Sequence, residues 1–143
     1  AIGTSENDFS YTGINYSSGF AYLGDRSTVR FNVSSGFRAP TSSELLSDGI
    51  HHGSFRYEIG NTSLETEKAI QFDASYALHF EDLELIVNPF YNRIQNYIYI
   101  EQIDSIIDNF NVYEYTQADF AQLYGVDFGF HYHPHGSLTP ALP

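Results

Sequence analysis

Residues 29–37 (VRFNVSSGF) restrict the shape of this chain more than any other stretch. Val29, Phe31, Val33 and Phe37 fall on one side with Ser35, while Arg30, Asn32, Ser34 and Gly36 fall on the other. A repeat of two is that of a strand with unlike faces and does not suit a helix. The run stops at Ala39-Pro40. The residue before a proline is held extended, and proline has no N–H to give a ladder. A polar stretch then continues to residue 67 before alternation resumes. So long an excursion from a strand is unusual in a compact domain.

The same repeat recurs elsewhere. Ile14, Tyr16, Phe20 and Tyr22 share a side with Ser18, and residues 23–27 (LGDRS) form a short turn through Gly24-Asp25. Ile70, Phe72, Ala74, Tyr76, Leu78 and Phe80 face one way, against Gln71, Asp73, Ser75, Ala77 and His79, and Glu81-Asp82 reverses the chain. Leu83, Leu85, Val87 and Tyr91 oppose Glu84, Asn88, Asn92 and Asn96, but Ile86 and Phe90 stand on the polar side. Pro89 suggests a bulge or a lapse in pairing there. Tyr124, Val126, Phe128, Phe130 and Tyr132 oppose Gly125, Asp127, Gly129, His131 and His133.

The expected strands are therefore 11–23, 28–37, 69–80, 83–100 and 121–133, with long loops at 38–68 and 101–119. Thr41 and Glu44 stand at capping-box spacing for one helical turn, and Phe55, Tyr57 and Ile59 alternate like a short strand. Asp48-Gly49, His52-Gly53 and Gly60-Asn61 carry turn chemistry. Residues 1–8 read as frayed, Pro134-His135-Gly136 as a turn, and 137–143 as the approach to a further strand.

The formal charge is −12, from six Lys+Arg against eighteen Asp+Glu, which argues against nucleic acid or an anionic membrane surface as a partner, since both need basic patches. There is no cysteine, hence no disulfide framework or thiolate metal site. Methionine is absent even at position 1, so the expectation is a fragment or processed product. Twelve Tyr and twelve Phe without Trp suit strands and aromatic girdles.

Every expected strand sets rings and aliphatics against Gly, Ser, Asn, Asp and His. Connections alternate between short and long. Long loops at one end and short turns at the other are the habit of an outer-membrane barrel. The expected fold class is all-β: an antiparallel meander of about five long strands from a transmembrane β-barrel, with two long extracellular loops. The competing fold is a soluble β-sandwich with two insertions, serving as an adhesin or carbohydrate-binding module. The two differ in whether the ring-bearing faces meet lipid or a second sheet.

Among candidate site residues, the His51-His52 pair is the sharpest local feature. In a loop, neighbouring histidines can clamp a metal, with Glu58 or Asp48 completing a set of N and O ligands. The plainer reading is a polar turn at His52-Gly53. Arg38 and Glu44, beside the strand break, join His51, His52 and Glu58 as candidate ligand contacts. Glu65 and Glu67 are read with Glu44 and Glu58 as a solvated or salt-bridged loop face. His79, His131 and His133 share the small polar side, where hydrogen bonding is the commoner role. A metal hydrolase built on His51, His52 and Glu58 lacks a helical HExxH or any nucleophile–base pairing, so no enzyme activity is expected.

Over roughly residues 14–135 the chain resembles the β-barrel of TonB-dependent outer-membrane receptors. The likeness is carried by Phe37-Arg38-Ala39-Pro40 followed by Glu44-Leu45-Leu46, by Gly49-Ile50-His51-His52-Gly53, by Tyr57-Glu58-Ile59-Gly60-Asn61 and by Leu64-Glu65 with Glu67-Lys68. Asn88-Pro89-Phe90-Tyr91-Asn92-Arg93-Ile94 and Tyr124-Gly125-Val126-Asp127 follow in order; Asp127 departs from the commoner Glu. The resemblance implies a barrel of about 22 strands with a plugged lumen, of which this chain is a piece without plug or terminal strand. It implies the outer membrane of a Gram-negative bacterium, outer-membrane lipid around the wall, and active uptake of a small scarce nutrient. The energy would come from the TonB energy-transducing complex acting through the plug. No resident cofactor is implied. The acidic loops, which concentrate cations, favour a transition metal, zinc or iron, as transported ligand.

Overall fold

The computed structural model describes residues 9–133, so the expectations for 1–8 and 134–143 lie outside the described residues. The long strands are β1 (Tyr16–Leu23), β2 (Ser27–Arg38), β5 (Glu67–His79), β6 (Leu83–Ile107) and β7 (Phe110–Tyr132). Between β2 and β5 lie a short helix α1 (Ser42–Leu46) and two short strands, β3 (Asp48–His51) and β4 (Arg56–Ile59). Together the strands form a seven-stranded sheet in the order β1-β2-β5-β6-β7-β4-β3. The five long strands are those the alternation predicts, though β1 starts at Tyr16, not near residue 11.

Three expectations are corrected. Residues 101–119 are not a loop: β6 runs to Ile107, β7 starts at Phe110, and the reversal is Asp108-Asn109. Both turn residues have positive φ, 51° and 66°. That is the backbone of a two-residue hairpin turn whose twist matches its strands. Polar residues extend the strands because this backbone is paired whatever its side chains. Pro89 does not interrupt β6, whose one positive φ falls at Asn96 (54°). Asp48-Gly49, expected as a turn, opens β3.

By internal contacts the chain divides into two units. One takes the stretch up to Tyr16, Ser35–Ile70 and Arg93–Ala121; the other takes Ser17–Ser34, Gln71–Asn92 and the stretch from Gln122. In the second unit the ring-bearing side, called outer here, stays uncovered: Phe128 is 79% exposed, and Tyr76, Phe80, Tyr124, Phe130 and Tyr132 are exposed with it. Phe20 packs on Phe31 (5.8 Å between centroids), Phe72 on Tyr91 (6.3 Å), and Gln122 donates to the Tyr91 hydroxyl at 2.8 Å. On the inner side, Ile86 and Phe90 find their reason. A Cβ on Gly125 would stand 2.8 Å from the Phe90 ring, and one on Gly129 would stand 3.2 Å from Ile86. The two apolar residues that break the alternation fill the space two glycines leave open.

The first unit holds a small core. Leu45 from α1, Leu64 and Ile98 from β6 are buried together, with Tyr11 and Tyr115 against them. Burying a leucine in this way is worth about 1.5–3 kcal/mol. The connection between β2 and β5 is thus docked, not loose.

Candidate functional site

The strand break at Arg38 organises the docked connection. The Arg38 guanidinium donates from Nε to Glu67 Oε2 at 2.6 Å and from Nη1 to Glu44 Oε1 and Oε2 at 3.0 and 2.8 Å. Glu67 uses its other oxygen to accept from the Ile98 N–H at 2.7 Å. Glu44 also closes the expected capping box: its N–H donates to Thr41 Oγ1 at 3.3 Å, and the Thr41 N–H donates to Glu44 Oε2 at 2.6 Å. Burial pushes the Glu44 carboxyl up, but the hydrogen bonds from Arg38 and Thr41 together carry it below its ordinary value. Charge-assisted bonds of this kind are the strong ones, and here they join β2, α1, β5 and β6.

Gly60 completes the docking. Its N–H donates to Ser47 O at 2.6 Å, and the Asn61 N–H donates to Glu44 O at 2.8 Å. A Cβ on Gly60 would lie 2.6 Å from the backbone of Leu45, Leu46 and Ser47, so only glycine lets the end of α1 approach so closely.

The β3–β4 hairpin pairs Asp48 with Ile59, Gly49 with Glu58, Ile50 with Tyr57 and His51 with Arg56. β4 then runs parallel to β7, with Tyr57, Glu58 and Ile59 opposite Val112, Tyr113 and Glu114. Directly opposed residues share a face and neighbours alternate. His51, Arg56 and Glu58 therefore share one face of the hairpin, and Asp48 lies on the other.

Glu58 is 5% exposed and already engaged. It accepts from Arg56 Nε at 2.7 Å and from the Tyr115 hydroxyl at 3.2 Å. Arg56 also lies 5.1 Å from the centre of the Tyr113 ring. On the other face Tyr57 donates to Asp48 Oδ1 at 2.7 Å, and that bond chiefly raises the Tyr57 hydroxyl.

Arg38 and Glu44 are thus brought together, and Glu58 is drawn to Arg56. His51 bonds Ser54 Oγ through Nδ1 at 3.0 Å, and His52 is exposed in the turn that follows β3. Among the described residues no group of three His, Asp or Glu stands ready for a metal ion. His79 lies between Thr28 Oγ1 (3.2 Å) and Glu84 Oε1 (3.1 Å), the hydrogen-bonding role expected of it.

Sequence reasoning missed Gln117, which it placed in a loop. The Gln117 amide accepts from the Glu65 N–H at 2.9 Å and donates to Glu65 O at 2.7 Å and Asn96 O at 2.8 Å. Asn96 in turn donates to Glu65 Oε2 at 3.0 Å. No local signal marks Gln117; only the extension of β7 past residue 121 places it here.

Strands of 25 and 23 residues in β6 and β7 exceed the ~9–11 a tilted strand needs to cross a bilayer. With an uncovered aromatic side and a docked connection at one end, the class defined is a partial wall of a transmembrane β-barrel. The sequence matches the TonB dependent receptor-like β-barrel model over residues 2–140, and the chain belongs to that family. No curated protein sequence matches it.

Among solved structures it is similar to the siderophore receptor PirA from Pseudomonas aeruginosa, with a TM-score of 0.63 and 19% identity over 80% of this chain and 24% of that one. It is also similar to a double mutant of the Serratia marcescens hemophore receptor HasR in complex with its hemophore HasA and heme, with a TM-score of 0.62 and 15% identity over 84% of this chain and 20% of that one. At such identities the likeness shows the fold. The chain spans less than a quarter of either receptor.

Proposed function

We propose that this chain forms part of the wall of an outer-membrane receptor in a Gram-negative bacterium, and that the receptor takes up a scarce nutrient actively, driven by the TonB complex through its plug. The observation that carries this reading is the family match over nearly the whole chain. In that role the wall binds and positions; it does no chemistry on the ligand. A metal ion, a metal chelate or haem is the class of ligand we favour. Two similar structures, one a siderophore receptor and one solved with heme, support that choice.

Within the docked connection we assign ligand contact to His51 and His52, at the end of β3 and in its turn. Arg38, Glu44 and Glu58 serve instead as positioning residues, because their polar atoms are already engaged by one another, Glu67, Arg56 and Tyr115. The test uses the full-length receptor in cells lacking other uptake routes. Uptake of iron chelate, haem and zinc is measured with and without TonB. TonB-independent uptake at an unchanged rate would sink the active-transport reading. Equal ligand binding by the H51A/H52A double variant would remove the histidines from the contact surface.

A further inference from the structure

The outer side of the wall carries an unexpected charge balance. It runs through alternate residues of β1 from Tyr16 to Tyr22, β2 from Val29 to Phe37, β5 from Lys68 to Leu78, β6 from Leu83 to Gln95 and β7 from Phe120 to Tyr132. No Asp or Glu occurs among these described residues, although acids outnumber bases eighteen to six in the chain. The charged residues among them are Lys68 and Arg93, both exposed.

These two share a shallow recess of about 450 Å³ with Ser35, Ile70 and Gln95. The Arg93 guanidinium rests 4.7 Å from the centre of the Phe120 ring, which holds it against the wall. Among the described residues neither cation has a carboxylate partner, whereas Arg38 and Arg56 each do. Lys68 is the second residue of β5, at the end where the long connection enters. Cations there reach the headgroup layer while their stems lie on apolar surface.

We propose that Lys68 and Arg93, assisted by Gln95 and Ser35, bind the phosphate headgroup of an anionic membrane lipid seated on the outside of the wall. Charge complementarity selects the lipid: two cations lining one recess that has no acid in its lining, on a face otherwise uncharged, suit a phosphorylated glycolipid and not a zwitterionic one. The proposal rests on the membrane-barrel reading above.

The experiment uses the full-length receptor reconstituted in phosphatidylcholine vesicles and titrated with a bis-phosphorylated lipid A glycolipid. The expected result is that wild type binds this lipid about tenfold more tightly than Lys68→Gln/Arg93→Gln. Lys68→Arg should stay near wild type, and a dephosphorylated glycolipid should bind like the double variant. Equal binding by wild type and the double variant, or displacement by inorganic phosphate at the lipid's own concentration, would overturn the lipid site. Heat-modifiable gel mobility confirms that each variant is folded. A wild-type receptor that does not float with vesicles overturns the barrel reading and this site together. One that floats but shows no difference overturns the site alone.

Discussion

The connection from Arg38 to Glu67 and the reversal from Ile107 to Phe110 leave the sheet at the same end and are built by opposite means. The first departs from its strand at Pro40 and is fastened by side chains. Arg38 spans two carboxylates, Leu45 drops into a pocket with Leu64 and Ile98, and Glu67 catches a backbone N–H on β6. The second needs none of this. Two residues in left-handed backbone reverse the chain, and the ladder continues on either side. Polar composition is common to both. What separates them is whether turn chemistry lets the backbone pair with itself at once or forces distant groups to satisfy it.

Local opening measured by amide exchange across 48–59 and limited proteolysis within 38–66 tests this contrast, because the side-chain-fastened connection should respond to single substitutions. Leu45→Ala has the largest expected effect, about 2–5 kcal/mol of local stability, since the small core has few neighbours to collapse into the space. Exchange at 103–115 should barely move. Gly60→Ala should follow at about 1–3 kcal/mol, because the backbone of α1 must shift to admit the new methyl. If its exchange matched wild type, the close approach of α1 would be wrong.

Acid should loosen the same connection. The Glu44 carboxyl sits below its ordinary value of 4.5, so its contribution is complete above that value and fades as pH falls through the lower folded one. Exchange across 48–59 should therefore rise as pH falls below 4.5, and Glu44→Gln should flatten that rise. The smallest effect belongs to the other reversal. Asn109→Gly, at φ 66°, should change hairpin stability by no more than about 0.5–1 kcal/mol and leave 48–59 untouched.

Much of this architecture is readable from the chain. The period of two marks each long strand, and Thr41 with Glu44 announces α1 and its capping box. The long-range partners are not readable. Glu67 and Ile98, or Gln117 and Glu65, are far apart in the chain, and nothing local foretells that a carboxylate will meet that N–H. The Asp108-Asn109 turn was visible in principle, as two residues tolerant of left-handed backbone between β-branched and aromatic runs. The acid-rich flanks hid it, because their charge suggests solvated loop. The histidines and carboxylates of 44–58 read as one potential ligand set. Arg56 and Tyr115 divide that set by claiming Glu58, and strand alternation sends Asp48 to the far side.

The parallel seam between β4 and β7 bears on how the rest of the wall is put together. Val112, Tyr113 and Glu114 already spend one rim of β7 on β4. Any further strand that zips onto that rim must begin its hydrogen bonding beyond Glu114, so a segment borrowed from three strands back acts as a doorstop setting the height at which the next stave joins.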